Sequence, residues 1–166
     1  MQFQISRDAL LKPLQLVSGV VERRQTLPVL ANVLLVLREK ELSLTGTDLE
    51  VELVGKTEVD RASQSGEVTV PARKLLDICK SLSDGATVDI ALADKKLVLK
   101  SGRSRFSLTT LAASEFPNVE EEPDTFSISI DQSKLRQLLD NTSFAMAQQD
   151  VRYYLNGMLF EVGKDY

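Results

Sequence analysis

The chain has 166 residues, of which 43% are hydrophobic and 27% charged, and its formal net charge is −4. This size and composition are typical of one globular domain, or of one domain with part of a second. The absence of histidine and the single cysteine exclude most zinc sites, histidine acid–base chemistry, Ser-His and Cys-His nucleophile pairs and an internal disulfide. No apolar run approaches the roughly 20 residues of a membrane helix, and residues 1–8 lack the apolar core of a signal peptide. We therefore expect a cytoplasmic protein without metal, cofactor or membrane partner, and we do not expect an enzyme.

Residues 1–60 predict one strand, one helix and three further strands. The alternating strand Phe3–Ile5 leads directly into an apolar stripe at helical spacing, with Ser6 as a suitable N-cap. Pro13 lies within that stripe, where it removes a backbone hydrogen bond and is expected to kink the helix. We retain the helix because an aligned stripe later in the chain lacks the proline. Three antiparallel strands are then predicted at Val33–Leu37, Leu42–Leu44 and Val51–Val59.

Residues 68–108 repeat this order of elements. The strand Val68–Val70 precedes Pro71, which is favoured at the first position of a helix. The helical stripe that follows includes Cys79, whose expected role is packing in the core. Three strands are predicted at residues 88–92, 97–99 and 106–108. Gly46 in the first copy and Gly102 in the second are expected between the last two strands.

The repeat has a nearly constant period. Ile5, Val70 and Ile130 end the first strand of three successive copies, at spacings of 65 and then 60 residues. A fixed period indicates one supersecondary unit that is used several times. Each unit is strand–helix–three strands, and two units predict an α+β domain whose helices lie on one face of antiparallel sheet.

The third copy follows an acidic segment with a proline, residues 120–124, which is typical of an interdomain linker. We predict a first domain at residues 1–120 and the beginning of a second at residues 125–166. The second is expected to contain a strand at Phe126–Ile130, a helix from about Gln132 to Ala147 and a strand at Met158–Val162. Because the sheet of this copy is then incomplete, we expect the chain to be a fragment of a longer protein.

Positive charge is concentrated in the first two helical segments. Residues 6–24 have four cations against two carboxylates, residues 71–82 three against one, and residues 131–142 two against two. The three segments therefore sum to +4, and the remainder of the chain carries −8. Basic helices on an acidic chain indicate contact with a polyanion such as DNA. The open alternative is an ordinary solvated helix face, on which Arg73 and Asp77 form an i,i+4 pair.

Several longer motifs resemble one protein family. They are LTGTDLE at residues 44–50, SGRSRFSL at 101–108, QDVRYYLNG at 149–157, KPL at 12–14 and VPARK at 70–74. In this combination the chain closely resembles the bacterial DNA polymerase III sliding clamp, the β subunit, from Met1 to about Val162.

The resemblance implies the DNA-clamp fold and a ring of two identical three-domain subunits, with helices lining a central hole. Such a ring encircles duplex DNA and tethers the replicative polymerase as a processivity factor, without performing chemistry. The implied partners are double-stranded DNA, DNA polymerases, the clamp loader and a second clamp subunit. The physics agrees, because a ring that holds DNA by topology needs only a weakly positive lining.

The resemblance implies DNA contacts in three places. Arg24 follows the first helix and Arg73 lies on the second, where each would touch the phosphate backbone. Gln149, Tyr153 and Tyr154 would form a loop that approaches DNA leaving the hole at a tilt, and tyrosines can stack on exposed bases. The alternatives are a solvated loop arginine, a second arginine held in a helix-surface ion pair, and adjacent tyrosines of which one is buried.

Arg152, Tyr154 and Leu155 resemble one wall of the cleft in which the family captures short peptides of polymerases and repair proteins. The other walls would come from later in the family sequence. We therefore expect this chain alone to bind such peptides poorly.

The resemblance also implies a subunit interface at a strand edge. Arg103 and Arg105 alternate with Phe106 and Leu108 along the last strand of the first domain. This edge would pair with the third domain of a partner subunit, with Lys74 in the surrounding salt bridges. Without a third domain we expect a monomer or weak self-association. From the residues alone, the strand is equally an ordinary edge that arginine guards against aggregation.

Two other functions remain as alternatives. An enzyme with a carboxylate site could use Asp48 and Glu50, which alternation in a strand would point to one face, although an exposed acidic strand explains this equally well. A stand-alone DNA-binding module would bind short linear duplex in a salt-sensitive way, whereas a clamp needs a closed ring.

Overall fold

A computed structural model of the chain describes residues 1–21, 27–117 and 127–163. Arg24 and Phe126 therefore lie outside the described residues. The chain divides into two compact units, residues 1–120 and residues 121–166, each with its own architecture.

The first unit contains nine strands and two α-helices among its described residues. In chain order they are β1 (Gln2–Ser6), α1 (Arg7–Val17), β2 (Asn32–Arg38), β3 (Glu41–Thr47), β4 (Glu52–Glu58), β5 (Arg61–Gln64), β6 (Gly66–Pro71), α2 (Ala72–Ser81), β7 (Thr87–Ala93), β8 (Lys96–Ser101) and β9 (Ser104–Thr109). Single-turn 3-10 helices at Pro28–Ala31 and Ala113–Glu115 precede β2 and follow β9.

Helix α1 begins at the predicted cap and continues through its proline. The hydroxyl of Ser6 accepts a hydrogen bond from the Ala9 amide at 3.3 Å. The helix runs through Pro13 to Val17, so the predicted helix is confirmed. Pro13 is buried, and a Cβ added at Gly55 of β4 would lie 2.7 Å from the Pro13 Cβ. Close packing of the ring against this glycine offsets the hydrogen bond that the proline removes.

Helix α2 begins one residue later than predicted. Pro71 is the last residue of β6, where it pairs with Asn32 of β2, and it occupies the N-cap position of α2. Its φ of −57° suits both the strand end and the cap. The proline therefore ends the strand and fixes the entry into the helix.

The strands form two antiparallel sheets that exchange strands between the repeats. One sheet has the order β5-β1-β7-β8-β9 and the other the order β4-β3-β2-β6. Strand β1 of the first repeat pairs with β7 of the second, with Ile5 opposite Val88. Strand β6 of the second repeat pairs with β2 of the first, with Val70 opposite Val33. The predicted α+β architecture, with helices on one face of antiparallel sheets, is confirmed.

The sequence patterns missed strand β5. Its four residues are all exposed and lack apolar alternation, so the first repeat has four strands after its helix instead of the predicted three. Strand β5 pairs with β1, with Arg61 opposite Gln4. In the other sheet, Thr69 of β6 exchanges two backbone hydrogen bonds with Leu111, at 3.1 and 3.2 Å. Gln4 and Thr69 are 65 residues apart and equivalent, so β5 and the segment at Leu111 cover the same edge in each copy.

The core lies between the inner faces of the two sheets and the two helices. Its side chains include equivalent, fully buried pairs from the two repeats: Ile5 with Val70, Leu10 with Leu75, and Leu14 with Cys79. Burial of each large aliphatic side chain contributes about 1.5–3 kcal/mol. The predicted packing role of Cys79 is confirmed by its complete burial.

The second unit has less regular structure. Its described residues contain one α-helix, α3 (Gln132–Thr142), and single 3-10 turns at Ser143–Ala145 and Tyr153–Asn156. The predicted continuation of the helix to Ala147 is wrong, because the backbone changes to 3-10 geometry directly after Thr142.

The two strands predicted in this unit are also wrong. Residues 127–130 of the predicted strand Phe126–Ile130, and all of Met158–Val162, have no strand structure. A strand requires a partner for its backbone N–H and C=O groups. No described segment of the second unit pairs with either stretch, so apolar alternation alone does not produce a strand here.

The repeat alignment predicted Gly46 between two strands, and this prediction is wrong. Gly46 is inside β3, opposite Leu53 of β4, whereas Gly102 lies between β8 and β9 with a φ of +56°. A Cβ added at Gly46 would lie 2.6 Å from the carbonyl oxygen of Val17, the last residue of α1. The glycine therefore allows the end of the helix to contact the sheet directly.

Gly46→Ala is expected to lower the free energy of unfolding by about 1–3 kcal/mol, because the added methyl group would push α1 away from β3. Gly157→Ala is the matched control, since Gly157 has extended backbone angles and a Cβ there meets no atom within 4 Å beyond its chain neighbours. Urea unfolding followed by circular dichroism measures both changes. Equal midpoints for Gly46→Ala and the unsubstituted chain would contradict the close contact.

Candidate nucleic-acid interface

Arg7 joins the beginning of α1 to the end of α2. Its Nε donates to the carbonyl oxygen of Cys79 at 3.1 Å. Its Nη1 contacts the carboxylates of Asp8 at 2.6 Å and Asp84 at 2.8 Å, and Asp8 also accepts a hydrogen bond from the Gly85 amide at 2.9 Å. The Arg7 side chain is only 15% exposed. Its charge is therefore used within the joint between the two helices.

The contacts at this joint shift the ionisation of both partners. The hydrogen bond from Arg7, followed by the one from the Gly85 amide, lowers the pKa of Asp8. The hydrogen bond to Asp8 raises the pKa of Arg7. A carboxylate with a lowered pKa stabilises the folded state above its unfolded pKa of about 3.9, and that contribution is lost as the pH falls through the folded value. The joint is therefore fully charged at neutral pH.

Helix α2 presents three cations that form no ion pair with a described residue. Arg73, Lys74 and Lys80 are all exposed. The alternative in which Arg73 pairs with Asp77 is wrong, since both side chains are exposed and do not contact each other. Lys80 was included in the charge of residues 71–82 but was not predicted as a binding residue. These charges are available to a ligand.

Helix α1 contributes less free charge than its sequence suggests. The charge of Arg7 is balanced by the carboxylates of Asp8 and Asp84. Lys12 is the exposed cation of α1 without an ion-pair partner in the described part of the chain. Arg24, predicted to contact DNA, lies outside that part. Helices α1 and α2 pack side by side, so Lys12 and the cations of α2 share one helical layer.

Both cations of α3 are paired within the helix. Lys134 lies 3.6 Å from Asp131, and Arg136 lies 3.7 Å from Asp140. All four side chains are exposed, so these pairs contribute little to stability. They agree with the zero net charge of this segment.

The loop after α3 is held closed by Asp150 and Asn156. Asn156 accepts a hydrogen bond from the Asp150 amide and donates one to the Asp150 carbonyl oxygen, both at 3.0 Å. The Asp150 carboxylate accepts two hydrogen bonds of 3.0 Å from the Arg152 guanidinium, which lower the pKa of Asp150 and raise that of Arg152. Sequence reasoning missed both organising residues, although the Asn156-Gly157 pair is a turn signal.

This loop exposes the three residues predicted to approach DNA. Gln149 has a φ of +60°, a conformation uncommon for residues other than glycine. Tyr153 and Tyr154 are 83% and 66% exposed, and their rings meet edge to face with centroids 6.0 Å apart. The alternative in which one tyrosine is buried is wrong. Both rings are accessible for stacking.

The residues predicted for a peptide cleft lie in the same loop. Arg152 is held by Asp150, and Tyr154 and Leu155 are accessible. An apolar groove of about 370 Å³ in this unit is lined by other residues: Leu138, Leu139, Thr142, Met158, Leu159, Phe160 and Glu161.

Strand β9 is an outer strand of the five-stranded sheet. Arg103 lies in the turn before it, and Arg105 lies on it; both are exposed and form no ion pair with a described residue. Phe106 is half-buried and Leu108 is buried in the core. Leu108 can therefore reach a neighbouring subunit through its backbone only.

Asp48 and Glu50 do not share a strand face, which corrects the pairing considered for an enzyme. They lie in the turn between β3 and β4. The Asp48 carboxylate accepts hydrogen bonds from the amides of Val51 at 2.7 Å and Glu50 at 3.0 Å, and these lower the pKa of Asp48. Aspartate commonly caps a turn in this way. Its carboxylate is therefore occupied by the backbone.

Within residues 1–21, 27–117 and 127–163, no three or more His, Cys, Asp and Glu side chains are placed to hold a metal ion. No helix in this part of the chain has the length and apolar character required to cross a bilayer.

Equivalent repeats that share two sheets, with a basic helical layer on one face, are the architecture of the DNA-clamp fold. Residues 1–120 match the model of the DNA polymerase III beta subunit, N-terminal domain, and residues 129–166 match that of its central domain. The chain belongs to the DNA polymerase III beta subunit family, the bacterial sliding clamps.

Individual relatives agree with this assignment. The chain is 64% identical to the beta sliding clamp of Pseudomonas putida over 165 residues, which covers 99% of this chain and 45% of the relative. It is 51% identical to that of Vibrio cholerae over 162 residues, covering 98% and 44%. The crystal structure of the DNA polymerase sliding clamp from Pseudomonas aeruginosa matches with a TM-score of 0.94 at 65% identity, covering 99% of this chain and 44% of that one. Caulobacter crescentus pol III beta matches with a TM-score of 0.90 at 41% identity, covering 95% and 42%. The chain thus spans less than half the length of these relatives.

Arg7→Ala is expected to speed the labelling of Cys79 by a thiol reagent at pH 8 about tenfold, because the joint between α1 and α2 opens more often. Burial raises the pKa of the Cys79 thiol to about 11, so the folded protein reacts slowly. Removal of the Arg7 charge would by itself raise that pKa further and slow the reaction, so faster labelling reports opening. Lys12→Ala, an exposed change on the same helix, should label at the unsubstituted rate. An equal rate for Arg7→Ala would contradict the role of the joint.

Proposed function

We propose that the polypeptide containing this chain is a sliding clamp, a processivity factor of DNA replication. It encircles duplex DNA and tethers the replicative DNA polymerase and other partners, and it performs no chemistry itself. Family membership across both units is the observation that carries this proposal. The clamp loader, which opens and closes the ring around DNA, is a further partner.

The helical layer of the first unit suits contact with DNA that must remain free to move. Lysine and arginine attract phosphates without reading bases, so their attraction is nearly the same at every position along a duplex. Lys12, Arg73 and Lys80 supply such charges, while the net charge of −4 limits the total attraction. A closed ring retains DNA by enclosing it, and weak contacts are then sufficient.

Five residues are assigned to DNA contacts in this proposal. Arg24 and Arg73 contact the phosphate backbone. Gln149, Tyr153 and Tyr154 contact DNA that leaves the ring at a tilt, and the exposed tyrosine rings support stacking on unpaired bases.

The second unit also contributes to partner binding. Arg152, Tyr154 and Leu155 form one wall of a cleft for peptides of polymerases and repair proteins, with an aromatic ring at its entrance. The open arrangement of these three side chains in this chain supports weak peptide binding in the absence of further walls.

The first unit, residues 1–120, is one complete clamp domain, and residues 125–166 begin a second. A second clamp subunit pairs with the outer edge of β9 to close the ring. Lys74, Arg103 and Arg105 supply cations for carboxylates across this interface, and Phe106 and Leu108 support it from the sheet. All three cations are exposed and form no ion pair within the described part of the chain, which supports this arrangement.

Encirclement is tested with the full-length polypeptide that contains this chain, loaded onto nicked circular DNA by its clamp loader. We expect the protein to remain on the circle and to leave when the circle is cut, because a ring slides off a free end. Gel filtration before and after cutting measures the bound fraction. Equal retention on the circular and linear forms would contradict topological binding.

Arg73→Ala in the same polypeptide tests the phosphate contact. On short linear duplex, loss of one such contact is expected to reduce the slope of log K against log salt by about 0.9. Lys96→Ala is the matched control, because Lys96 is exposed on the outer face of β8, on the side of the sheet away from the helices. Its slope should not change. An unchanged slope for Arg73→Ala would exclude Arg73 from the interface.

A further inference from the structure

The outer face of the five-stranded sheet carries a row of polar side chains that crosses every strand. Strand register places one residue of each strand directly opposite the next: Arg61 of β5, Gln4 of β1, Asp89 of β7, Lys100 of β8 and Arg105 of β9. Directly opposite residues of antiparallel strands project from the same face of a sheet. The row therefore lies on the face opposite the buried core.

Within this row the carboxylate accepts a hydrogen bond, and the cations form no ion pair with a described residue. Gln4 donates from Nε2 to the Asp89 carboxylate at 2.8 Å. Arg61 and Lys100 are exposed, and neither forms an ion pair with any residue that the structure describes. Two unpaired cations therefore lie on either side of an amide–carboxylate pair.

Both cations line a cavity of about 370 Å³ on this face. Its floor includes the small side chains of Ala91 and Val98, which lie directly opposite each other on β7 and β8. Gln2 and Ser63 add hydrogen-bonding groups. The register between β1 and β5 shifts between Gln2 and Phe3. The cavity makes the face concave at this place.

The equivalent face of the other sheet carries the opposite charge. The outward residues of the five-stranded sheet include four cations against one carboxylate, a net charge of +3: Arg61, Lys96, Lys100 and Arg105 against Asp89. Those of the four-stranded sheet include two cations against four carboxylates, a net charge of −2: Arg38 and Lys56 against Glu41, Glu52, Glu58 and Glu67. The two sheets are equivalent by the internal repeat, so the fold does not impose this difference.

We propose that the concave outer face around Arg61 and Lys100, the outer-face site, binds an extended carboxylate-rich segment of a partner protein. The two cations pair with carboxylates of that segment. The side chains of Gln2, Gln4 and Ser63 offer donors and acceptors to its backbone. The site lies on the side of the sheet away from α1 and α2, so it is separate from the proposed DNA contacts.

A peptide fits this site better than DNA does. Asp89 lies between the two cations and would repel an unbroken row of phosphates. A peptide can place an uncharged side chain over Asp89 and carboxylates to either side, which matches the alternation of charge along the row. The cavity also has room for one or two side chains and not for a duplex.

The test uses this chain and a fluorescently labelled peptide of alternating glutamate and serine, followed by fluorescence anisotropy at low ionic strength. The same peptide with glutamine in place of glutamate is the control probe. We expect saturable binding of the glutamate peptide only. Arg61→Glu combined with Lys100→Glu is expected to weaken this binding about tenfold or more.

Arg38→Glu combined with Lys56→Glu is the matched control, because it makes the same change in net charge on the outer face of the other sheet. It is expected to weaken binding less than about twofold. Equal weakening by the two double variants would show that net charge and not the outer-face site determines binding, and would overturn the proposal.

Amide chemical shifts of the unsubstituted chain give a readout that does not depend on the folding of any variant. On addition of the glutamate peptide, shifts are expected in β1, β5, β7 and β8 and not in β2, β3 or β4. Absence of saturable binding, or shifts confined to the four-stranded sheet, would overturn the proposal. Short duplex DNA that displaces the peptide, and whose own binding is lost with Arg61→Glu and Lys100→Glu, would overturn it in favour of DNA.

Discussion

Backbone hydrogen bonding between the two repeats is the constraint on which the first unit depends. Strand β1 joins β5 to β7, and β6 attaches to β2, so each repeat supplies the first strand to the sheet of the other. Because buried N–H and C=O groups must be paired, neither repeat can complete a sheet alone. Each exchanged strand continues directly into its helix, from Ser6 into α1 and from Pro71 into α2. The exchange therefore also places the two helices side by side on one face, and the basic helical layer is a consequence of sheet pairing.

Arg7 shows how equivalent positions acquire different uses. Arg7 and Asp8 build the joint between the helices. The residues 65 positions later are Ala72, which is fully buried, and Arg73, which is exposed and has no ion-pair partner among the described residues. At the start of α1 the charged side chains form ion pairs and hydrogen bonds within the protein. At the start of α2 the two charges, Arg73 and Lys74, are exposed and form no ion pair with a described residue. A helical layer that must be rigid and also attract phosphates can divide these two requirements between its copies, because one charged group cannot satisfy both.

The sequence predicted those parts of the fold whose signal is local. Helix α1 and the strands of the first repeat follow from apolar periodicity and from the cap at Ser6, and the internal repeat made α1 credible despite Pro13. Strand β5 was missed because an exposed edge strand has no apolar alternation, and stretches of the second unit with that alternation form no strand without a partner. The joint at Arg7 could not be predicted, since it brings together groups 72 residues apart. The sequence also could not predict whether Arg73 forms an ion pair with Asp77, because ion pairs on a helix surface contribute only small free energies.

The internal repeat separates what the fold requires from what binding requires. Positions that stay apolar and fully buried in both copies, such as Ile5 with Val70 and Leu10 with Leu75, maintain the shared core. Positions that differ in charge lie at the starts of the two helices and on the outer faces of the two sheets. A charge that occurs in one copy only is not required by the shared backbone, and its contacts show its use. Arg7 is held within the joint between the helices, whereas the cations on α2 and on the outer face of the five-stranded sheet form no ion pair with a described residue. Those cations are therefore the residues that the fold leaves to interactions with other molecules.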